Sequence, residues 1–330
     1  MSAKVEAELV EWAALSGETW STLLLGNGLS INQWADFSYS SLLDQVHLSD
    51  ESKAIFSSLD TQNFEGVLEC LSHARVALSA LGMSTERVDE VYGEVREALF
   101  SAVTNVHVPW LKFPQSNEDA IAKYLDCFRS VFTTSYDLCL YWSQMDTSGT
   151  VNIVDYFWNS GGVFDPDNVL VRSKKATRIH YLHGALHLWH DDEIGCSGKW
   201  SAKDGSLLHL EDKYPLSGDL RPLFVSEGNS AEKMLEIRRS PYLNFCYEKL
   251  RQDDGSTVVF GQSLSAHDRH VLVALNEGAP RRLAIAIHPD SDVELKIGRL
   301  AGALKRHDVS FFDSTTHPLG VEDLHISKGG

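Results

Sequence analysis

Cysteine is scarce in this 330-residue chain: five residues, Cys70, Cys127, Cys139, Cys196 and Cys246. An odd number without paired spacing does not suggest a disulfide framework. No Cys-x-x-Cys occurs, which excludes a four-cysteine zinc site built from two such pairs. Long apolar runs are missing too, and none approaches the ~20 residues of a membrane-spanning helix. The first fifteen residues, MSAKVEAELVEWAAL, mix charged and apolar residues at helical spacing and lack a signal-peptide core, so the expected location is the cytoplasm. Basic residues are outnumbered, 29 against 46 acidic, for a net charge of −17. That deficit disfavours broad binding to nucleic acid or anionic membranes, which needs clustered Lys and Arg. The short basic runs around Arg238 and Arg281 leave room for local patches, and the acidic surplus reads first as a contribution to solubility. Internal repeats and low-complexity linkers are absent, and the closing SKGG reads as a frayed tail.

The remaining composition is that of an ordinary globular protein, 43% hydrophobic and 23% charged, long enough for one large α/β domain or two smaller ones. Residues 3–16 are predicted to form an amphipathic helix, and Ser21–Leu25 a buried strand. From about 40 to 120 the apolar residues recur three and four apart, as in FEGVLECLSHARVALSAL, and strand signals are missing. CFRSVFTT, at Cys127–Thr134, reads as the second buried strand. Further β-type runs follow at VNIVDYF, RIHYLHGALHLW, RPLFVS, STVVFGQSL, RRLAIAIHP and VSFFDS. Helical patterns lie between several of them, near Ala231–Arg239, Tyr242–Arg251, Asp268–Leu275 and Ser291–His307. Alternation of this kind predicts an α/β fold, a largely parallel sheet flanked by helices. Residues 1–39 and 121–330 would form its domain, and 40–120 a helical insertion after the first strand.

Polar motifs sit where the strands end, and in open α/β sheets ligands bind outside the carboxyl ends of strands. TLLLGNGLS drives an apolar run into Gly26 and Gly28. Glycines there suggest a turn or a close backbone approach, for which a phosphate at a helix N-terminus is the usual partner. The full dinucleotide fingerprint is not met, because Ile31 stands where its third glycine would be. Ser30 could cap the next helix or donate to a phosphate. Thr133, Thr134, Ser135 and Asp137 cluster hydrogen-bonding groups at the second strand's end, with Asp137 also placed to cap the helix DLCLYW. His183, before Gly184, is positioned to act as a base. Its neighbours His180, His187 and His190 raise a metal site, which we disfavour because Gly184 and the alternating pattern suggest a hairpin rather than convergent ligands. Gly261 and Ser263 end a later strand, and without Gly-x-Ser-x-Gly no hydrolase nucleophile elbow is indicated.

Taken in order, GNGLSIN, FTTSYD, YLHG and VVFGQSLS resemble the motif series of the sirtuin-like NAD-binding domain. More closely, they resemble the bacterial sirtuin-like proteins of uncharacterised function that are related to antiphage-defence NADases. NFEGVLE, FVSEGNSAEKMLEIRRSPYL and FFDSTTHPLG extend the resemblance over most of the chain. The resemblance implies a Rossmann-like, sirtuin-type fold that takes NAD as substrate, without metal. It implies that Gly26, Asn27, Gly28 and Ser30 approach the NAD diphosphate, and that Gly261 and Ser263 meet its adenosine side. Thr133 and Thr134 belong to the segment that carries an Asn and an Asp to the nicotinamide riboside. Asp137 matches the acidic position, Ser135 stands where that family has Asn, and His183 matches the catalytic His.

The activity so implied is hydrolysis of the nicotinamide–ribose bond by His183, Ser135 and Asp137. The setting so implied is bacterial defence, in a homo-oligomer or with a partner protein and without nucleic acid. Protein deacetylation is disfavoured by the missing cysteine pairs. Two alternatives stay open. One is a non-catalytic NAD or ADP-ribose sensor, which Ser135 favours; the other is an unrelated nucleotide-binding scaffold.

Overall fold

The computed structural model describes residues 9–37, 39–145, 152–173, 175–191, 193–202, 205–209, 220–225, 229–290 and 292–327. Strand β1 (Thr22–Leu25) is followed by helices α1 (Gly28–Gln33), α2 (Tyr39–Asp44), α3 (Asp50–Ser58), α4 (Phe64–Ala80), α5 (Glu86–Val106) and α6 (Gln115–Leu125). Then come β2 (Ser130–Thr133), α7 (Cys139–Met145), β3 (Ile153–Val154), β4 (Thr177–Tyr181), β5 (Gly184–Asp191), β6 (Cys196–Lys199) and β7 (Leu220–Phe224). The chain continues through α8 (Ser230–Arg239), α9 (Pro241–Gln252), β8 (Thr257–Phe260), α10 (Arg269–Glu277), β9 (Arg282–Ile287), α11 (Val293–Ala303) and β10 (Asp308–Asp313).

Seven strands form one sheet in the order β10-β9-β8-β1-β2-β4-β3, and every pairing in it is parallel. The central strands β1, β2 and β8 are four residues long and buried throughout, as parallel strands covered on both faces must be. From β1 the chain builds outward through β2 to β4 and β3, then returns to β8 on the other side of β1 and builds out to β10. The order therefore reverses between β1 and β8, and a crevice opens at their carboxyl ends.

Between β1 and β2 the described residues contain only helical elements and connections. On α5 the buried residues Val91, Val95, Leu99, Ala102, Val103 and Val106 recur at helical spacing, making one apolar stripe. The Trp34 indole N–H donates to the Val106 carbonyl at 2.8 Å and ties the end of α5 to the end of α1. This anchor brings Leu99 and Val103 over the carboxyl end of β1.

Two expectations are corrected. Over its described part, residues 9–16, the predicted N-terminal helix does not form. Val10 bridges Phe312 at the sheet edge and Trp12–Ala14 make a single tight turn, with the Trp12 ring tilted against Phe312 at 4.9 Å and edge-on to His317 at 4.5 Å. Burial of Trp12 against the sheet outweighs the helical spacing. The hairpin expected around Gly184 in RIHYLHGALHLW is instead two strands of different sheets. β4 ends in the parallel sheet, while β5 pairs antiparallel with β6 and β7 in a separate three-stranded sheet. Gly184 makes the change of direction: it sits at φ +76, and a Cβ there would lie 2.0 Å from the Leu223 carbonyl oxygen. The SKGG tail lies outside the described residues beyond Ser327.

Candidate functional site

The glycines of the β1 turn have their partner within the protein. A Cβ on Gly26 would come 2.4 Å from the Gly261 carbonyl oxygen, and one on Gly28 would come 2.5 Å from Gly261 Cα. Gly261 itself sits at φ +67. The amides of Gly26 and Gly28 donate to the Phe260 and Gly261 carbonyls at 3.0 and 2.9 Å. The close approach read from the sequence is thus made to the backbone after β8, and these two amides are committed there rather than pointed at a ligand. Ser30, inside α1, neither caps the helix nor faces outward; its hydroxyl donates to Asp137 Oδ2 at 2.5 Å.

Asp137 is 4% exposed and collects hydrogen bonds on both oxygens. Oδ2 also accepts from the Ser135 hydroxyl, which lies 3.2 Å from Ser30 Oγ. Oδ1 accepts from the Cys139 amide at 2.8 Å, capping α7 as the sequence suggested. Thr133 Oγ1 accepts from the Ser135 amide at 3.1 Å and so sets the turn. Thr134 Oγ1 accepts from Gln262 Nε2 at 2.7 Å, joining the β2 turn to the β8 turn.

A cavity of about 250 Å³ lies against this junction, lined by Asn27, Gly28, Thr134, Ser135, Asp137 and His183, by Gly261 and Ser263, and by residues the sequence did not single out: Glu65, Tyr136, Gln262 and Asp268. Phe37, with Leu42, Leu99 and Val103 from the helical block, supplies apolar lining. Gly26, Ser30 and Thr133 are not among the residues that line the cavity. A second cavity, about 500 Å³, shares Gly28, Ile31, Gly261, Gln262 and Ser263 with the first and carries His288, Lys296 and Arg299. Arg299 donates to the Ser263 and Leu264 carbonyls at 2.6 and 2.5 Å, so its contacts there are with neutral groups.

The charge in the first cavity is organised around Lys233, whose side chain is fully buried. Its ammonium contacts Glu65 Oε1 at 2.9 Å and Asp268 Oδ1 at 3.0 Å. Burial alone would lower the Lys233 pKa, but the two carboxylates more than offset it and hold the amine charged. Likewise burial would raise Asp268, and Lys233 overcomes it, holding that carboxyl well below the usual range. Glu65 also accepts from the Tyr136 hydroxyl at 3.1 Å. A lysine within AEKMLEI reads from sequence as solvated, and only the packing of α8 against the α4 end reveals it.

His183 is 2% exposed, and burial pushes its pKa well below the ordinary value, so the ring is neutral at pH 7. Its Nε2 lies 2.8 Å from His270 Nε2 and 4.0 Å from Asp268 Oδ1. The other histidines of the sequence cluster disperse. His180 stacks on Phe132 in the core, His187 on Tyr141, and His190 Nδ1 meets Ser197 Oγ at 3.0 Å. Two other groupings of potential metal ligands occur among the described residues. In His107–Asp137–Cys139, His107 Nε2 accepts the Leu138 amide at 2.9 Å, Asp137 caps α7, and burial keeps the Cys139 thiol protonated. In His183–Asp268–His270, the two imidazoles contact each other and Asp268 already holds Lys233.

The family described as "Domain of unknown function (DUF4917)" matches residues 23–319, and the chain belongs to that family. No curated protein matches it. Among solved structures it is similar to one described as "Structural Basis for the Mechanism and Regulation of Sir2 Enzymes", with 12% identity over 92% of this chain and 90% of that one, at a TM-score of 0.36. A superposition that loose carries no residue correspondences.

Proposed function

We propose that this member of the family binds NAD across the two adjoining cavities and hydrolyses its nicotinamide–ribose bond, giving nicotinamide and ADP-ribose. The observation that carries the reading is the division of charge at the β1–β8 crevice. One cavity is lined by the carboxylates of Glu65, Asp137 and Asp268, the first and last sharing the single ammonium of Lys233, and the other carries Arg299 and Lys296, the latter paired with Asp290, across the shared Gly261–Ser263 wall. NAD is divided in the same way, with a cationic nicotinamide riboside at one end and an anionic diphosphate between it and adenosine. The second cavity, about 500 Å³, is of the size of a small-molecule site, and the first, about 250 Å³, adjoins it as a smaller chamber.

In this reading, loss of neutral nicotinamide leaves positive charge at the ribose anomeric carbon, and fixed carboxylates in a water-poor chamber stabilise it. Water bonds to that carbon and gives its proton to the neutral His183. Asp137, held by the Ser30 and Ser135 hydroxyls and the Cys139 amide, faces the developing charge from a fixed position. The apolar residues of α5 and α2 exclude water, so the helical block acts as a lid on the sheet domain. No step calls on a metal.

The motif resemblance supports the wider setting we propose with this activity: a cytoplasmic defence effector that works as a homo-oligomer or with a partner protein. A second reading, an NAD or ADP-ribose sensor without turnover, is favoured by Ser135 alone, since a hydroxyl bonded to Asp137 offers no amide to the ribose. Nicotinamide release measured from NAD with the purified chain separates the two: the hydrolase turns over, and the sensor binds without product.

A further inference from the structure

A third cavity, about 600 Å³, is lined by Asn229, Ser230, Met234, Tyr247, Arg269 and His270 among others, and shares no lining residue with the 250 Å³ cavity. The two nevertheless meet through a pair of imidazoles. His183 lines one, His270 lines the other, and their Nε2 atoms are 2.8 Å apart. Such a contact requires one Nε2 to carry the proton and the other a lone pair. Beyond it, His270 Nδ1 lies 3.1 Å from Ser230 Oγ, which also accepts the His270 amide at 2.8 Å. Among the described residues nothing hydrogen-bonds His183 Nδ1. The chain of atoms from one cavity to the other is therefore His183 Nδ1, His183 Nε2, His270 Nε2, His270 Nδ1 and Ser230 Oγ.

We propose that His183 and His270 form a proton relay, resting on the hydrolase reading above, that carries the proton released by NAD hydrolysis out of the active cavity and into solvent in the third cavity. As the water oxygen bonds to the anomeric carbon, one of its O–H bonds breaks and the proton goes to His183 Nδ1. The His183 Nε2 proton passes to His270 Nε2, and the His270 Nδ1 proton passes by way of Ser230 Oγ to water. Nicotinamide leaves with the bonding pair of the broken C–N bond. Ring reorientation between turnovers restores the starting tautomers. The ionised Asp268, 4.0 Å from His183 Nε2, opposes the cost of the transient imidazolium. Burial pulls both rings down, His270 to about 4, so neither retains the proton at pH 7. His270 acts through His183 and is a positioning and relay residue, not one that touches substrate.

The test compares nicotinamide release by the full-length wild type, His270→Ala and His270→Gln, with and without added imidazole. The relay requires kcat to fall ~10²-fold in both variants with KM unchanged. It also requires imidazole, entering through the third cavity, to restore turnover to His270→Ala. Folded variants with wild-type kcat, or a loss in His270→Ala that imidazole does not repair, overturn it. Should the variants fail to fold, the wild type decides: scalar coupling between isotope-labelled His183 Nε2 and His270 Nε2 must be detected, and its absence overturns the shared proton. Stoichiometric transition metal in the purified protein would instead make His183, Asp268 and His270 a ligand set and end the relay. Wild type that releases no nicotinamide removes the hydrolase reading, while the coupling still reports separately on the imidazole pair.

Discussion

In the proposed hydrolysis His183 is the base, and its variants are the plainest to predict. His183→Ala abolishes nicotinamide release, because among the described residues lining the cavity no other imidazole is present; product chromatography checks it. Ser135→Asn leaves activity equal or higher if the cavity admits the amide beside Asp137, and Ser135→Ala reduces it less than His183→Ala, since water can replace a hydroxyl in part. Retained turnover in His183→Ala, or loss in Ser135→Asn, would contradict these assignments. Lys233→Met tests the buried charges. It leaves Glu65 and Asp268 facing each other without their cation, and unpairing buried charge costs ~3–5 kcal/mol, to be read by denaturant unfolding. The motif residues were legible one by one in the sequence because small and hydroxyl residues at strand ends announce a turn. Glu65, Lys233 and His270 were not, because they reach the site from α4, α8 and α10, and their helical periodicity says nothing of which partner they meet.

Among the elements, the turns after β1 and β8 form a unit. Gly28→Ala places a methyl 2.5 Å from Gly261 Cα, and Gly261→Ala adds a methyl at positive φ against the Gly28 backbone. Either lowers stability by ~1–3 kcal/mol and moves the shared wall of the two cavities, so unfolding midpoint and NAD affinity fall together. A stable variant with intact NAD binding would show that the interlocking backbone is dispensable. Here the sequence was half informative: the glycine pair declared a close approach, but nothing in it said that the neighbour would be backbone rather than phosphate. Central strands were readable because parallel strands buried on both faces are continuous apolar runs. The region from β4 to β7 was not, because a β-type run that turns at Gly184 into another sheet has the same period-two pattern as a hairpin. The N-terminal segment misled for a related reason, as Trp12 is better buried on the sheet than on a helix face.

For the molecule as a whole, buried neutral histidines set the response to acid. Burial holds His180 and His317 at about 3 and His270 at about 4 in the folded protein. In the unfolded chain a histidine titrates near 6.5. The folded state thus binds fewer protons between these values, so stability is full above pH ~6.5 and is lost as pH falls toward 4. Each such group contributes a slope of up to ~1.4 kcal/mol per pH unit. Denaturant midpoints should therefore decline already between pH 6.5 and 5, and a flat profile there would contradict the neutral assignments. The central claim, that the divided crevice between β1 and β8 hydrolyses NAD, is tested most directly by incubating the purified chain with excess NAD and quantifying nicotinamide. Many equivalents of nicotinamide with matching ADP-ribose, lost in His183→Ala, are the predicted result. NAD that binds yet stays intact, or release undiminished in His183→Ala, would contradict it.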